Sequence, residues 1–365
     1  MSVKKITALA AGLTLGLAAL VGCGSDDGGG DASDTKIGIT MPDRALERWN
    51  RDGEKLQEEL QAMGYKTDLQ YADNSPETQV SQIENQINDG AKILVVASID
   101  SKALGPILAT AASNDITIIA YDRLLMDTEN VDYYATFDNV GVGTLQGEYL
   151  RDNLDLETAD GPFNFESFTG SDDDNNAKLF FTGAWDVLKP YYDAGKLVCQ
   201  SGKCPATVDD WTNVSIHGWK AEDAQTEMQT RLNSFYTDKK VDAVLSPNDS
   251  LAFGIASALE GAGYTPGGDW PLLTGQDGDK ANVMNILAGK QSMTVFKDTR
   301  ILAADVAKMV DEIAKGGTPS GVNSEYDNNV KMVPTNQVIL QVVTADTAKA
   351  VLVDSGFYTA EELGL

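Results

Sequence analysis

Residues 92–123, KILVVASIDSKALGPILATAASNDITIIAYDR, contain two apolar segments on either side of a helical pattern. Neither segment alternates apolar and polar residues as a half-exposed strand would, which is typical of a central strand covered on both faces. The residues from Ala103 to Ala112 are predicted to form the helix that joins the two strands. A strand, a helix and a second strand in this order predict part of a parallel sheet.

The same rhythm continues on both sides of this stretch. Trp49, Leu56 and Leu60 recur at helical spacing between two predicted strands, KIGIT and TDLQYAD. After Asp138 the pattern restarts, and the predicted strands there are FNFESFTG, NVSIHG, DAVLSPND and LLTGQD. A folded part of about 330 residues exceeds one typical core. We therefore predict an α/β protein of two lobes with parallel doubly wound sheets.

The N-terminus has the order of a secretory signal peptide. Two lysines precede an apolar run from Ile6 to Val21 that is short for a membrane span. The quartet LVGC resembles a bacterial lipobox, so residues 1–22 are predicted to be the signal and Cys23 the lipid anchor. An ordinary signal followed by a chance cysteine is the alternative. Residues 23–35 are predicted to be a flexible tether, which would hold the protein on the outer face of the cytoplasmic membrane.

The charge of the chain excludes some partners. There are 55 acidic and 28 basic residues, for a formal net charge of −27. Nucleic acid and anionic lipid surfaces are therefore not expected to bind this protein, and membrane contact is expected only through the lipid anchor.

The remaining cysteines and the acidic clusters give little sign of a metal. In an exported protein Cys199 and Cys204 either close a small disulfide across CQSGKC or stay as free thiols, and the sequence leaves both open. Neither DDDNN at 172–176 nor DGDK at 277–280 has the alternating ligands and final glutamate of an EF-type calcium loop. No metal and no cofactor are expected.

Polar side chains follow several predicted strands, at the edge where open α/β sheets bind ligands. They are Asp122 and Arg123, the cluster from Asp172 to Asn176, Asn248 and Asp249, and Gln276 and Asp277, with Arg48 and Trp49 near the first strand. Each Asp or Asn has an alternative explanation as a helix N-cap. Together, however, carboxylates, carboxamides, an arginine fork and an aromatic face predict a cleft for a neutral polyol. Trp49 and Trp219 either stack on this ligand or lie in the core.

Signs of catalysis are scarce. The only histidine, His217, lies in VSIHGW, and this apolar strand setting favours a structural role over that of a general base. The sequence has no Gly-x-Ser-x-Gly elbow, no Gly-x-x-x-x-Gly-Lys loop and no His-Glu-x-x-His. We predict that the protein is not an enzyme.

A family resemblance covers nearly the whole chain after the tether. The blocks that carry it are RALERWNRDG, NQINDGAKILVVASID, IIAYDRL, YYATFDNVGVGTLQG, DDDNNAKLFF, VDAVLSPND, TGQD and TVFKDTR. In this order they resemble the periplasmic xylose-binding and multiple-monosaccharide-binding proteins, the solute receptors of sugar ABC importers. The resemblance implies a type I periplasmic-binding fold, in which two Rossmann-like lobes are joined by three crossovers, near Asp138, near Lys297 and within 329–334. The implied lobes are 36–138 plus 298–331 and 139–297 plus 332–365.

The resemblance also implies a binding site and a mechanism. A monomeric lipoprotein would close its lobes over one monosaccharide and deliver it to the importer permease; a sugar sensor for a chemoreceptor or histidine kinase is the alternative. In the DDDNN cluster the amides would face the sugar, while the leading aspartates cap the next helix or face solvent. Asp43 and Arg44 are less certain candidates, and the segment around Cys199 and Cys204 departs from the family pattern. The implied sugar contacts are Arg48, Trp49, Asp122, Arg123, Asn175, Asn176, Trp219, Asn248, Asp249, Asp277 and Lys297.

Overall fold

The computed structural model describes residues 35–365, which form two α/β lobes. The predicted signal peptide, Cys23 and the tether as far as Asp34 lie outside the described residues. Within 35–365, no helix is both long enough and apolar enough to cross a membrane.

The strands of the described residues are short and mostly buried. They are β1 (Lys36–Met41), β2 (Lys66–Tyr71), β3 (Ile93–Val96), β4 (Thr117–Tyr121), β5 (Tyr133–Phe137), β6 (Phe163–Ser167), β7 (Leu197–Val198), β8 (Ala243–Leu245), β9 (Leu272–Leu273), β10 (Thr294–Phe296), β11 (Ser324–Asp327), β12 (Met332–Val338) and β13 (Gln341–Val343).

Helices separate most of these strands. The α-helices are α1 (Glu47–Ala62), α2 (Pro76–Asn88), α3 (Gly105–Ser113), α4 (Asn139–Asn153), α5 (Asn175–Asp193), α6 (Ala221–Phe235), α7 (Asp249–Gly261), α8 (Lys280–Leu287), α9 (Thr299–Ala314) and α10 (Ala360–Leu363). Two 3-10 segments, Val208–Val214 and His217–Trp219, and a π-helical turn, Lys349–Val353, complete them.

Three sheets define the lobes. The N-terminal lobe contains a seven-stranded sheet in the order β11-β12-β5-β4-β3-β1-β2, and the C-terminal lobe contains β7-β6-β8-β9 and the pair β10-β13. The sheets were predicted to be parallel throughout. The structure corrects this at two edges, because β11 pairs antiparallel with β12 and β10 pairs antiparallel with β13. These strands come from the C-terminal third of the chain, which returns to both lobes.

Local sequence explains several helix starts. Ser75 caps α2 by accepting a hydrogen bond from the amide of Thr78 at 3.1 Å, and Pro76 occupies the first turn. Asp174 caps α5 and Asn248 caps α7 in the same way. Because both caps follow strands of the C-terminal lobe, they lie at the sheet edge that faces the other lobe.

Small residues allow α4 and α5 to pack closely in the C-terminal lobe. A Cβ atom on Gly143 would collide with the backbone of Phe180, and one on Gly183 would collide with the backbone of Val140. The close contact buries Trp185 and Phe181 in the main core of this lobe. Two further clusters cover the faces of the seven-stranded sheet.

The chain crosses between the lobes three times. It leaves the seven-stranded sheet after β5 at Asp138 and returns between β10 and α9, at Lys297 and Asp298. The third crossing lies between β12 and β13, after Val338. The sequence analysis placed this crossing before Val338 in the chain, within 329–334, and assigned residues 332–365 to the C-terminal lobe. The structure corrects this boundary, because β12 pairs with β5 from Thr335 to Val338.

The segment around the cysteine pair is compact and lies in the C-terminal lobe. Cys199 and Cys204 form a disulfide. The predicted strand NVSIHG is not one: Val208–Val214 and His217–Trp219 are 3-10 turns, and only Ser215 makes an isolated bridge, to Thr169. The excursion therefore wraps the end of β6 instead of extending the sheet.

Candidate ligand-binding cleft

A cavity lies between the two lobes. Its walls come from the carboxyl ends of strands in both lobes and from the first turn of α1. Nine of the eleven predicted contact residues line it. The lining residues are Leu46, Arg48, Trp49, Asp122, Arg123, Asp174, Asn176, Phe180, Trp219, Asn248, Ser250, Gln276, Asp277, Asp279 and Lys297.

Arg48 is the charged centre of the cavity. Its guanidinium donates to Asp52 of its own helix at 3.0 Å, to Asp122 of the N-terminal lobe at 3.0 Å and to Asp277 of the C-terminal lobe at 3.2 Å. Burial alone would lower the pKa of Arg48, but the three carboxylates together raise it well above its ordinary value. Arg48 is thus permanently charged and held from three sides.

Asp122 contacts both Arg48 and Lys297, and Lys297 lies where the chain crosses between the lobes. Asp122 follows β4 with a left-handed φ of 57°, and its carboxylate lies 3.6 Å from the ammonium of Lys297. Burial would raise the pKa of Asp122, but Arg48 and Lys297 lower it overall, so the carboxylate stays ionised. The amide of Asn176 in the other lobe donates to the Asp122 carbonyl at 2.8 Å.

Arg123 is fixed beside this group by a separate pair. Its Nε lies 2.9 Å from Asp174 of the C-terminal lobe, and its Nη1 donates to the Ser98 carbonyl at 3.0 Å. Both side chains are almost fully buried. A cation whose orientation is already set by protein groups loses little freedom when a ligand arrives.

Two tryptophans and a phenylalanine form the apolar walls. The guanidinium carbon of Arg48 lies 4.5 Å from the Trp49 ring centroid, and Phe180 meets Trp219 edge to face at 6.3 Å. The indole nitrogens of Trp49 and Trp219 and the Gln276 carbonyl oxygen are buried with no hydrogen-bond partner in residues 35–365. Buried polar atoms are rarely left unpaired, so these three atoms are available to hydrogen-bond a polar ligand.

Two predicted contact residues do not line the cavity. Asn175 is only half-buried and lies outside the lining set, whereas its neighbour Asn176 lines it. Asp249 is fully buried behind the wall, where it accepts from Gln291 at 2.8 Å, from Thr294 at 3.0 Å and from the backbone amide of Asp279 at 2.9 Å. Asp249 therefore shapes the loop that carries Asp277 and Asp279. The less certain candidates Asp43 and Arg44 also lie outside the lining set.

Six lining residues were not among the predicted contacts. Asp174 was interpreted as a helix cap or a solvent-facing residue; it does cap α5, but its other oxygen also pairs with Arg123. Gln276 and Asp279 flank Asp277 in one turn, so the strand-end rule was a usable signal for them. Leu46, Phe180 and Ser250 carried no such signal, because their placement depends on the closed arrangement of the lobes.

His217 lies outside this cavity. Its side chain is 70% exposed, and its Nδ1 lies 2.8 Å from Asp172. The predicted apolar strand setting is therefore wrong. The hydrogen bond to Asp172 raises the pKa of His217 above its ordinary value.

Two groups of described residues have ligand atoms close enough to hold a metal ion: Asp172 and Asp173 with His217, and Glu166 with the two cysteines. The disulfide already engages both sulfur atoms of the second group. Neither group lies in the set that lines the cavity between the lobes.

Two lobes with strand ends facing across a cleft, joined by three crossings, define the type I periplasmic-binding fold of exported solute-binding proteins. A family model described as Periplasmic binding protein domain matches residues 37–318. The chain belongs to this family, and it is a binding protein rather than an enzyme.

Relatives identify the branch of the family. Multiple sugar-binding periplasmic protein SbpA of Azospirillum brasilense is 46% identical over 324 residues, which cover 88% of this chain and 89% of that protein. Multiple sugar-binding periplasmic receptor ChvE of Rhizobium radiobacter is 44% identical over 364 residues, 99% of each chain. The predicted family resemblance is confirmed.

A solved structure supports the same assignment. An ABC transporter solute-binding protein from Clostridium phytofermentans, with bound β-D-glucose, is 51% identical to this chain. It superimposes with a TM-score of 0.86 and covers 90% of this chain and 100% of its own.

Proposed function

We propose that this protein is the solute-binding lipoprotein of an ABC sugar importer and captures one monosaccharide, such as glucose, xylose or a similar aldose. The observation that carries the proposal is the interlobe cavity, where fixed carboxylates and guanidiniums adjoin buried polar atoms that have no hydrogen-bond partner among the described residues. Sugar hydroxyls both donate and accept, so they can satisfy the carboxylates, the arginine forks and the orphaned indole nitrogens at once. The relatives' names and the glucose held by the solved relative point to the same ligand class.

The mechanism follows from the position of the cavity. A sugar that touches Asp122 of one lobe and Asn248 of the other binds both only when the lobes are closed. It therefore stabilises the closed form by its differential affinity for that form. The permease would then recognise the closed outline and release the sugar by opening it. No covalent chemistry is needed.

Each wall has a separate task in this mechanism. Arg48 and Arg123 can donate to sugar hydroxyls through the guanidinium N–H groups that their protein partners leave free, and Asp122 and Asp277 can accept from hydroxyls. Trp49 and Trp219 offer apolar faces for the C–H surface of the ring. The charges are paired among themselves, which suits a neutral sugar.

Isothermal titration tests the proposal directly. Soluble protein beginning at Lys36 would be titrated with xylose, glucose, galactose, arabinose, fucose and ribose, with tryptophan fluorescence read in parallel. We expect binding at one site in the micromolar range or tighter for at least one sugar, with a fluorescence change from Trp49 or Trp219. The absence of binding across this panel would reject the aldose assignment and would direct the search to inositols, nucleosides and furanoses.

A sensory role is the second candidate, and it is favoured by the word receptor in the name of ChvE. In that case the closed, sugar-bound form would bind a chemoreceptor or histidine kinase ectodomain. A pull-down with sugar-saturated protein, compared with sugar-free protein, separates this role from transport alone.

The lipid anchor belongs to the same proposal. Cys23 would be acylated after removal of residues 1–22, with the protein monomeric at the membrane surface. Metabolic labelling with a fatty-acid analogue should mark the wild-type protein and not a Cys23→Ser variant. Equal labelling of both would remove the anchor from the proposal.

A further inference from the structure

A second set of contacts joins the lobes beside the cavity. Arg51 lies one turn after Arg48 on α1, in the N-terminal lobe, and it is not among the residues that line the cavity. Its Nη2 donates to Asp279 at 2.9 Å and its Nη1 donates to the Tyr358 hydroxyl at 3.0 Å. Both partners belong to the C-terminal lobe, so Arg51 crosses the cleft from outside the cavity lining, although its partner Asp279 belongs to that lining.

The C-terminal side of this contact is held by groups of its own lobe. The Tyr358 hydroxyl donates to the Gly278 carbonyl at 3.0 Å, and the Asp279 amide donates to Asp249 at 2.9 Å. Asp249 is fully buried and is itself held by Gln291 and Thr294. Asp279 is thus presented on a loop that its own lobe fixes.

The N-terminal side is fixed as well. Glu47, on the same helix, accepts from Arg51 at 2.6 Å, and this contact does not depend on the other lobe. The guanidinium also lies over the Phe357 ring, 5.2 Å from its centroid. Separation of the lobes would break the contacts to Asp279, Tyr358 and Phe357 but would leave the one to Glu47.

We propose that Arg51, Asp279 and Tyr358 form an interlobe latch, in which Arg51 is a positioning residue that tightens binding of every sugar equally. The latch rests on the proposed function, because it acts on closure over a sugar. All sugars bind the closed form, so a contact that favours closure multiplies each affinity by the same factor. Residues that touch the sugar, by contrast, change affinities by factors that differ among sugars.

The charges around Asp279 give the latch its physical role. The Asp279 carboxylate lies near Asp277 and Asp249 within its own lobe, and closure brings Glu47 and Arg51 of the other lobe to it, with Tyr358 alongside Arg51. Burial raises the pKa of Asp279 to about 6, and Arg51 opposes this rise. Without Arg51, closure would bury a carboxylate among acids with nothing to offset it.

The test compares Arg51→Gln with Lys55→Gln. Lys55 is on the same helix but pairs with Glu59, 2.8 Å away within that helix, so it is a matched control. At neutral pH we expect Arg51→Gln to weaken the Kd of every sugar that wild type binds by about tenfold, with their ratios kept within about twofold. Lys55→Gln should change none of them. Tyr358→Phe, which keeps the ring, should weaken all sugars by about threefold.

Two further readings separate a latch from a static structural role. The melting temperature of the sugar-free protein should stay within about 1 °C of wild type in Arg51→Gln, because the contact forms only on closure. The tenfold loss should also shrink near pH 5, where Asp279 is protonated and needs less compensation.

The outcomes are distinct. The latch would be overturned if Arg51→Gln left every affinity unchanged, or if its losses differed several-fold from sugar to sugar. It would also be overturned if the variant lost stability in the absence of sugar. Wild-type protein that binds no sugar at all would overturn the proposed function and the latch with it.

Discussion

Two of the clusters of buried charge in residues 35–365 serve different ends. One surrounds Arg48 in the cleft and draws its carboxylates from both lobes. The other pairs Arg231 with Glu166 inside the C-terminal lobe, at 2.9 Å. Both cations are almost fully buried and both are hydrogen-bonded, so burial and pairing alone do not distinguish them.

What distinguishes the clusters is the completeness of their contacts. Glu166 also accepts from Tyr236 at 2.6 Å and from the amide and hydroxyl of Ser201 at 3.1 and 2.7 Å, all within one lobe. The Arg48 cluster instead borders the interlobe cavity and buried polar atoms of Trp49, Trp219 and Gln276 that have no hydrogen-bond partner within residues 35–365. A charge cluster whose hydrogen bonds are completed within one lobe stabilises that lobe. A charge cluster between the lobes, next to polar atoms that lack partners in residues 35–365, can bind a ligand.

The largest effect should come from breaking the Arg231–Glu166 cluster. Glu166→Gln would leave Arg231 without its buried counter-charge and should lower the free energy of unfolding by about 3 kcal/mol. Sugar affinity at moderate temperature should stay unchanged. Urea denaturation and titration calorimetry measure the two quantities. Glu227→Gln, which removes a more exposed partner of the same arginine, is the control and should lower stability by less than about 1 kcal/mol.

Breaking the Arg48 cluster should lower sugar affinity and leave stability nearly unchanged. Asp122→Asn removes a charged acceptor between Arg48 and Lys297 and should weaken sugar binding by about 3 kcal/mol, or roughly 100-fold. Stability without sugar should change little. Asp172→Asn, on an exposed carboxylate outside the cavity, should bind as wild type does. If Asp122→Asn bound sugar normally, the contrast between the two clusters would fail.

The disulfide sharpens the comparison further, because it fastens the loop that contains Ser201. Replacing both Cys199 and Cys204 by serine opens a short covalent loop and should lower the free energy of unfolding by about 2 kcal/mol. The Kd for sugar should not change, because this loop contacts the Arg231–Glu166 cluster and not the cavity. A change in affinity without a change in stability would connect this loop to the cleft instead.

The smallest expected effect is a pH dependence that only the cleft should show. The pKa of Asp279 is raised to about 6 chiefly by burial in the closed form. The closed form thus holds this proton more tightly than an exposed aspartate, so its contribution to closure is fully present below about pH 4 and is lost as pH rises through about 6. Sugar affinity should be roughly fivefold tighter near pH 5 than near pH 8.

Titration calorimetry at both pH values, on wild type and Asp279→Asn, measures this dependence. The variant should show a flatter pH profile, because its amide does not titrate. An equally steep profile in the variant would assign the pH dependence to another carboxylate.

Much of the architecture could be predicted because it is written in local patterns. Unbroken apolar runs such as KILVVAS mark buried parallel strands, and the helices between them follow from periodicity and caps. The antiparallel edge strands could not be predicted in this way. Strand β13 pairs with β10 from an earlier part of the chain, and such a partner leaves no local trace, whereas β11 and β12 form a hairpin that the sequence analysis did not identify.

The binding site divides along the same line. By itself, the sequence determined the chemistry of the site, because Asp, Asn and Arg at strand ends are placed at one sheet edge by the parallel fold. Only the tertiary structure decided which of two neighbours faces the cavity: Asn248 lines it while Asp249 turns back into its own lobe, and Asn176 lines it while Asn175 does not. Adjacent residues at a helix start point in different directions, and which direction meets the other lobe depends on how the lobes close.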